Sequence, residues 1–96
     1  MLREEALRIL AEHRAEIDGF GVRSLAIFGS VARDEAGPKS DVDILVEFTK
    51  PVGYFEFFDL QRYLRRILKR PVDLVTMNSL RESIRAQVLK EAIRAA

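Results

Sequence analysis

Cysteine is absent from this chain of 96 residues, which excludes disulfides, thiol nucleophiles and thiolate metal sites together. Histidine occurs once, at His13, so multi-histidine zinc centres and metalloprotease motifs are excluded as well. No excess of one charge exists. The 16 basic side chains face 15 acidic ones, a net charge of +1, and this balance argues against blanket neutralisation of phosphates by bulk charge. Nucleic acid is therefore not an expected partner. No apolar run approaches the roughly 20 residues that span a bilayer, and the start, MLREEALRIL, is too charged for a signal peptide. The expected setting is the cytoplasm, with no membrane partner. Repeats and low-complexity tracts are missing too, so residues 1–96 read as one domain, small enough for a single core.

What is present is a folded composition, 48% hydrophobic and 32% charged. From Arg3 to Ile17 apolar residues recur at helical period, with His13 on the same side, until Gly19 and Gly21 break the pattern. Val22 to Phe28 reads as a buried strand, and a helical turn follows at Gly29-Ser30. Asp41 to Phe48 alternates as a strand, with Val42, Ile44 and Val46 on one face and Asp41, Asp43 and Leu45 on the other. Tyr54 to Leu68 is an amphipathic helix stopped by Pro71, and VDLVT is a third strand. Ser79 with Glu82 resembles a capping box opening a last helix, whose apolar side carries Leu80, Ile84, Val88, Leu89, Ala92 and Ile93. The expected fold is α/β, in the order α-β-α-β-α-β-α on a small mixed sheet.

Asp41 and Asp43 stand two apart in a strand, so their side chains leave the same face. Two carboxylates this close repel unless a cation lies between them, and Mg2+ commonly takes one or two carboxylates plus substrate phosphates. The plainer alternative is the solvent face of an edge strand. Asp73 interrupts the apolar third strand, where a carboxylate without compensation would be costly; an edge position facing water is again the alternative. Gly29-Ser30 follows a buried strand directly, where backbone N–H groups and a hydroxyl can bind an anion, or simply cap a helix. Phosphate donors after one strand and acids on the next two form a constellation suited to phosphoryl chemistry.

GSVAR at 29–33, SDVDILVEF at 40–48 and PVDLV at 71–75 resemble the Gly-Ser…Asp-x-Asp…Asp signature of polymerase-beta-type nucleotidyltransferases. Among these the chain is most similar to the small MNT-type group, minimal nucleotidyltransferases found beside HEPN-domain proteins, and the resemblance covers nearly its whole length. It implies a polymerase-beta-like fold and a two-metal mechanism. Asp41 and Asp43 would hold two Mg2+ ions, with Asp73 as third ligand and base; Gly29 and Ser30 would hold the terminal phosphates of a nucleoside triphosphate, ATP, assisted by Arg33. The implied reaction moves AMP to a hydroxyl, a tyrosine of a HEPN toxin, with this chain as its antitoxin. Asp34 stands where many relatives have glycine, which bears on the path of the loop toward the phosphates.

Lys39 reads as surface charge, and His13 as a partly buried structural residue. Tyr54, Phe55, Phe57 and Phe58 read as core, and Arg62, Arg65, Arg66, Lys69 and Arg70 as a solvated helix face. Two rivals remain: a binding module that neutralises its partner by contact, and a small-molecule adenylyltransferase. The second would need a pocket from another domain or a dimer, since a chain of 96 residues is expected to have little surface left over for one. A homo-oligomer stays open.

Overall fold

The computed structural model describes residues 1–95. A four-stranded mixed sheet has the order β3-β2-β1-β4, formed by β1 (Val22–Phe28), β2 (Val42–Phe48), β3 (Val72–Val75) and β4 (Ile93–Arg94). The helices are α1 (Arg3–Glu12), α2 (Arg14–Gly19), α3 (Gly29–Ala32), α4 (Tyr54–Leu68) and α5 (Glu82–Glu91), with a 3-10 turn at Met77–Ser79. β1 runs antiparallel to β2 and β4, and β2 runs parallel to β3. No described helix is long and apolar enough to cross a membrane.

Strand alternation determines where the core sits. Val22, Leu25, Ile27, Val42, Ile44, Val46, Val72 and Leu74 are buried, and beneath them lie Ala6 and Leu10 of α1, Ile17 of α2, and Leu60, Leu64 and Leu68 of α4. Each Val, Leu or Ile among them contributes about 1.5–3 kcal/mol on leaving water. The opposite face, carrying Ser24, Ala26, Phe28, Asp43, Leu45 and Asp73, stays half-buried to exposed.

The α/β class and mixed sheet agree with the expectation, and the 54–68 helix keeps its bounds, but four local expectations are corrected. The first helix is two, because the backbone turns out of the helix at His13 (φ −107°, ψ 18°), whose half-buried ring places Nδ1 2.8 Å from the Ile9 carbonyl. The Ser79–Glu82 capping box does not form. Ser79 Oγ instead accepts the Thr76 N–H at 3.1 Å and donates to the Thr76 carbonyl at 2.8 Å, closing the 3-10 turn. The last helix stops at Glu91, since Ile93 and Arg94 pair with the open edge of β1, and Ala95 donates its N–H to the Leu25 carbonyl at 2.7 Å. Of its supposed apolar side, Ile84 and Leu89 are exposed while Leu80 and Val88 are buried. Finally, Tyr54, Phe55 and Phe58 are exposed, and only Phe57 of that group packs against the core.

Asp34 has a left-handed backbone (φ 59°), the conformation glycine adopts at low cost. Aspartate tolerates it, and here its side chain has a second use: Oδ1 accepts the Arg3 N–H at 2.8 Å, satisfying an otherwise orphaned donor at the start of α1. Asp34 thus ties the loop after α3 to the first helix. Asp34→Asn should leave stability nearly unchanged, whereas Asp34→Ala loses the cap and strains the backbone. The latter should cost about 2 kcal/mol, read as a melting point lowered by roughly 8–16 °C.

Candidate active site

The site is assembled where β1 ends. Phe28, its last residue, lies opposite Asp43 of β2, and on the other side of β2 Asp73 of β3 is in register with Asp43. Neighbouring strands are about 4.8 Å apart, so Asp43 has Asp73 beside it, and Asp41 two residues back along the chain. Asp41 falls just outside the strand, which begins at Val42, whose N–H donates to the Pro71 carbonyl at 2.9 Å. β2 is therefore a central strand, and the edge-strand alternative for Asp41 and Asp43 is excluded.

After Phe28 the chain turns at Gly29 with φ +72°, opening α3. A Cβ on Gly29 would overlap Asp43 Oδ2 and lie 3.1 Å from its Cγ. Glycine is required twice over here, by its backbone conformation and by the carboxylate resting against it. The structure thus brings Gly29-Ser30 directly onto Asp43.

Asp43 is the electrostatic centre. Its pKa is pushed up to about 6, first by burial, then by the negative charges of Asp73 and Asp41, while Arg33 acts to lower it. Asp73 itself is exposed, so the expected burial cost of that carboxylate does not arise at Asp73; the penalty falls on Asp43. Asp73 does lie on an edge strand, to whose Val72 carbonyl Gln61 of α4 donates at 2.8 Å.

Arg33 does not extend freely over Gly29-Ser30. Its Nη1 reaches both carboxylate oxygens of Glu91 at 3.1 and 3.2 Å, and its Nε lies 3.3 Å from Glu35. Glu91 also accepts from Gln87 at 3.3 Å. No sequence signal points to Glu91, which is 58 residues from Arg33. Lys39 is exposed beside a turn in which Ser40 Oγ accepts the Gly37 N–H at 2.9 Å.

The donor set consists of hard carboxylate oxygens, which suits Mg2+ rather than a softer metal. The crowding around Asp43 is of the kind a divalent cation relieves. Among the described residues, however, no three acidic or imidazole side chains already converge as a closed metal site. The carboxylates fit the ion chemically.

Two concavities bear on the expectation that little surface is left for an acceptor pocket. On the acid-bearing face, a depression of about 480 Å³ lies between Ser24, Ala26, Leu45 and Glu47 of the sheet and Leu89 and Ala92 at the end of α5. Leu45 is two residues from Asp43 on the same face, so this depression adjoins the acids. A larger open groove, about 980 Å³, runs along Phe48–Tyr54, Phe57, Leu74 and Met77 at the other end of β2 and β3. Its sheet residues Val46 and Leu74 belong to the core face, opposite to Asp43, so the larger concavity is not the acid site.

Comparison with known proteins agrees with this geometry. Residues 7–95 match the family model described as a nucleotidyltransferase domain. The protein adenylyltransferase MntA of Thermococcus cleftensis is 43% identical over 91 residues, which cover 94% of this chain and 92% of that protein. A solved structure provisionally named a minimal nucleotidyltransferase superposes with a TM-score of 0.82 at 36% identity, covering 97% of this chain and 95% of that one. A chain from the complex of a tri-AMPylated HEPN toxin with an MNT antitoxin of Shewanella oneidensis shares the fold. Its TM-score is 0.67 at 18% identity, over 94% of this chain and 71% of that one.

The raised pKa of Asp43 gives a test of the electrostatics. In the unfolded chain its carboxyl titrates near 3.8, and in the fold near 6, so the fold favours the protonated form. Its contribution to stability is full below pH 3.8 and is lost as pH rises through 6. Asp43→Asn should therefore be more stable than wild type at pH 8, by on the order of 1 kcal/mol after solvent screening. The advantage should shrink as pH falls from 7 toward 4, read by urea denaturation at each pH.

Proposed function

The chain belongs to the nucleotidyltransferase domain family, and on that premise we propose that it is a protein adenylyltransferase, moving AMP from ATP to a tyrosine hydroxyl of a HEPN-domain toxin as its antitoxin. The observation that carries the chemistry is the seating of Asp43 on Gly29, with Asp73 beside it on β3 and Asp41 two residues back along the chain. The name of the Thermococcus relative supports the protein acceptor, and the AMP-bearing toxin of the Shewanella complex supports the partner class.

Asp41, Asp43 and Asp73 are the residues that would hold two Mg2+ ions, which when bound neutralise charge on the triphosphate and on the oxygen attacking it. Ser30 donates its hydroxyl to a terminal phosphate oxygen, and Gly29, lacking a Cβ, lets the phosphates approach the backbone. The acceptor oxygen bonds to the α-phosphorus as the bond to pyrophosphate breaks. Asp73, exposed at the rim, takes the phenolic proton. Arg33 screens the acids while Glu91 and Glu35 restrain it, and it is close enough to turn toward a phosphate. A tyrosine on a docked protein can enter over the half-open face, where Leu45, Ala26 and exposed Leu89 offer apolar contact to the segment that carries it.

Incubation with ATP, Mg2+ and the partner toxin should raise the toxin's intact mass by AMP increments, and Asp41→Ala with Asp43→Ala should abolish the shift. An unshifted toxin that the double variant still neutralises would leave a binding module instead. A mass gain that survives a toxin Tyr→Phe change would refute the tyrosine.

Ser30→Ala removes one hydrogen bond to a charged phosphate. It should weaken ATP affinity about tenfold to a hundredfold while leaving the melting point unchanged. Calorimetric titration beside a thermal melt separates this from a structural role.

A further inference from the structure

α4 presents to solvent a surface that its own fold does not use. Phe55 is 86% exposed, Tyr54 80% and Phe58 44%, with Tyr54 and Phe58 stacked at 5.6 Å between centroids. Large aromatics exposed together at one helix end point to a covered surface. The other end of the same exposed side is cationic, with Arg62, Arg65, Arg66 and Lys69 all exposed.

The positions are symmetric. At about 100° per residue, Phe55, Phe58, Asp59, Arg62, Arg65, Arg66 and Lys69 fall within a stripe roughly 120° wide centred on Arg62. Reversing the helix about Arg62 returns the stripe onto itself, with each flank kept on its own side of the contact. Two copies laid antiparallel would thus set Phe55 against Lys69, Phe58 against Arg65 and Asp59 against Arg66, each pair occurring twice. The first two are cation–π pairs and the third is an ion pair. Antiparallel alignment also opposes the helix dipoles favourably. Arg62 meets its own copy on the axis, and its charge is already partnered by Asp59 within the same helix.

We propose that this chain forms a two-fold dimer through the outer face of α4. A second copy fits better than the acceptor protein, because α4 covers the face of the sheet opposite to Asp43 and Asp73. Anything docked on α4 stands behind the sheet and cannot hand a hydroxyl to those acids. The dimer leaves both acid faces outward, free to engage two partner molecules at once. The association does not depend on the proposed transfer, and its test involves no nucleotide.

One four-turn helix pair buries less than the usual 1,200–2,000 Å² of a stable interface, so the dimer should be weak, with Kd on the order of tens of micromolar. Sedimentation velocity from about 5 to 500 µM at low salt should show monomer passing to dimer over that range. Phe55→Ser with Phe58→Ser should hold the chain monomeric, with circular dichroism confirming the fold. Asp59→Arg and Arg66→Asp should each raise Kd about tenfold or more, by setting like charges opposite one another, and the two together should restore it. A monomer at every concentration, or a double exchange as weak as either single change, would overturn the proposal. So would a wild type that stays monomeric while the aromatic pair proves necessary for binding a toxin.

Discussion

The site depends on one contact, the carboxylate of Asp43 resting against the bare Cα of Gly29. It forms because β1 ends at Phe28 opposite Asp43, and because the next residue turns with a positive φ. Register and turn are tied together by it. A slip of β1 on β2 by one residue would turn Leu25 and Ile27 out of the core, so the apolar core enforces the alignment that the polar face needs. Ser30 and Arg33 then follow on α3 and its cap, and their positions over the acids are consequences of that same turn.

The arrangement is held against its own electrostatics. Asp43 carries a burial penalty and the repulsion of two neighbours, offset only in part by Arg33, whose charge is shared with Glu91 and Glu35. The core beneath β2 makes this tolerable. Val42, Ile44 and Val46 flank Asp43 along the strand and are essentially fully buried, each contributing about 1.5–3 kcal/mol. A strand with such sides does not yield to one unfavourable carboxylate between them. The repulsion is thus retained as a demand for positive charge at one place.

How much of this was legible in the sequence follows from the range of each interaction. Strand alternation is local, so β2, its buried set and the shared face of Asp41 and Asp43 could be read directly, as could the bounds of α4. The Gly-Ser turn and its proximity to the acids could be inferred from the motif, and the mixed sheet and nucleotidyltransferase fold from the resemblance. What escaped reading depends on distant partners. Ile93 kept the helical pattern of α5 and yet pairs with Ile27 of β1, because an open strand edge outcompeted another helical turn. Glu91 meets Arg33, and Asp34 meets Arg3, across loops that no spacing rule spans. The aromatic run at 54–58 failed for a different reason. Periodicity marks apolar residues without saying which side of a helix lies against a sheet, and Phe55 is on the far side from Leu60 and Leu64.

The two faces of the sheet explain how so short a chain can carry a reaction centre. An antiparallel or mixed sheet needs only one face covered to be stable. Here α1, α2 and α4 cover that face, leaving the end of α5 as the chief cover on the other. A larger enzyme would spend a second layer on enclosing its substrate; in this chain the acids stay at a half-open surface. Enclosure must then come from what docks there, and under the proposed function a protein acceptor would supply both the hydroxyl and the wall that excludes water. Leaving the acid face uncovered is thus the feature that fits this site to the macromolecular substrate of the proposed function.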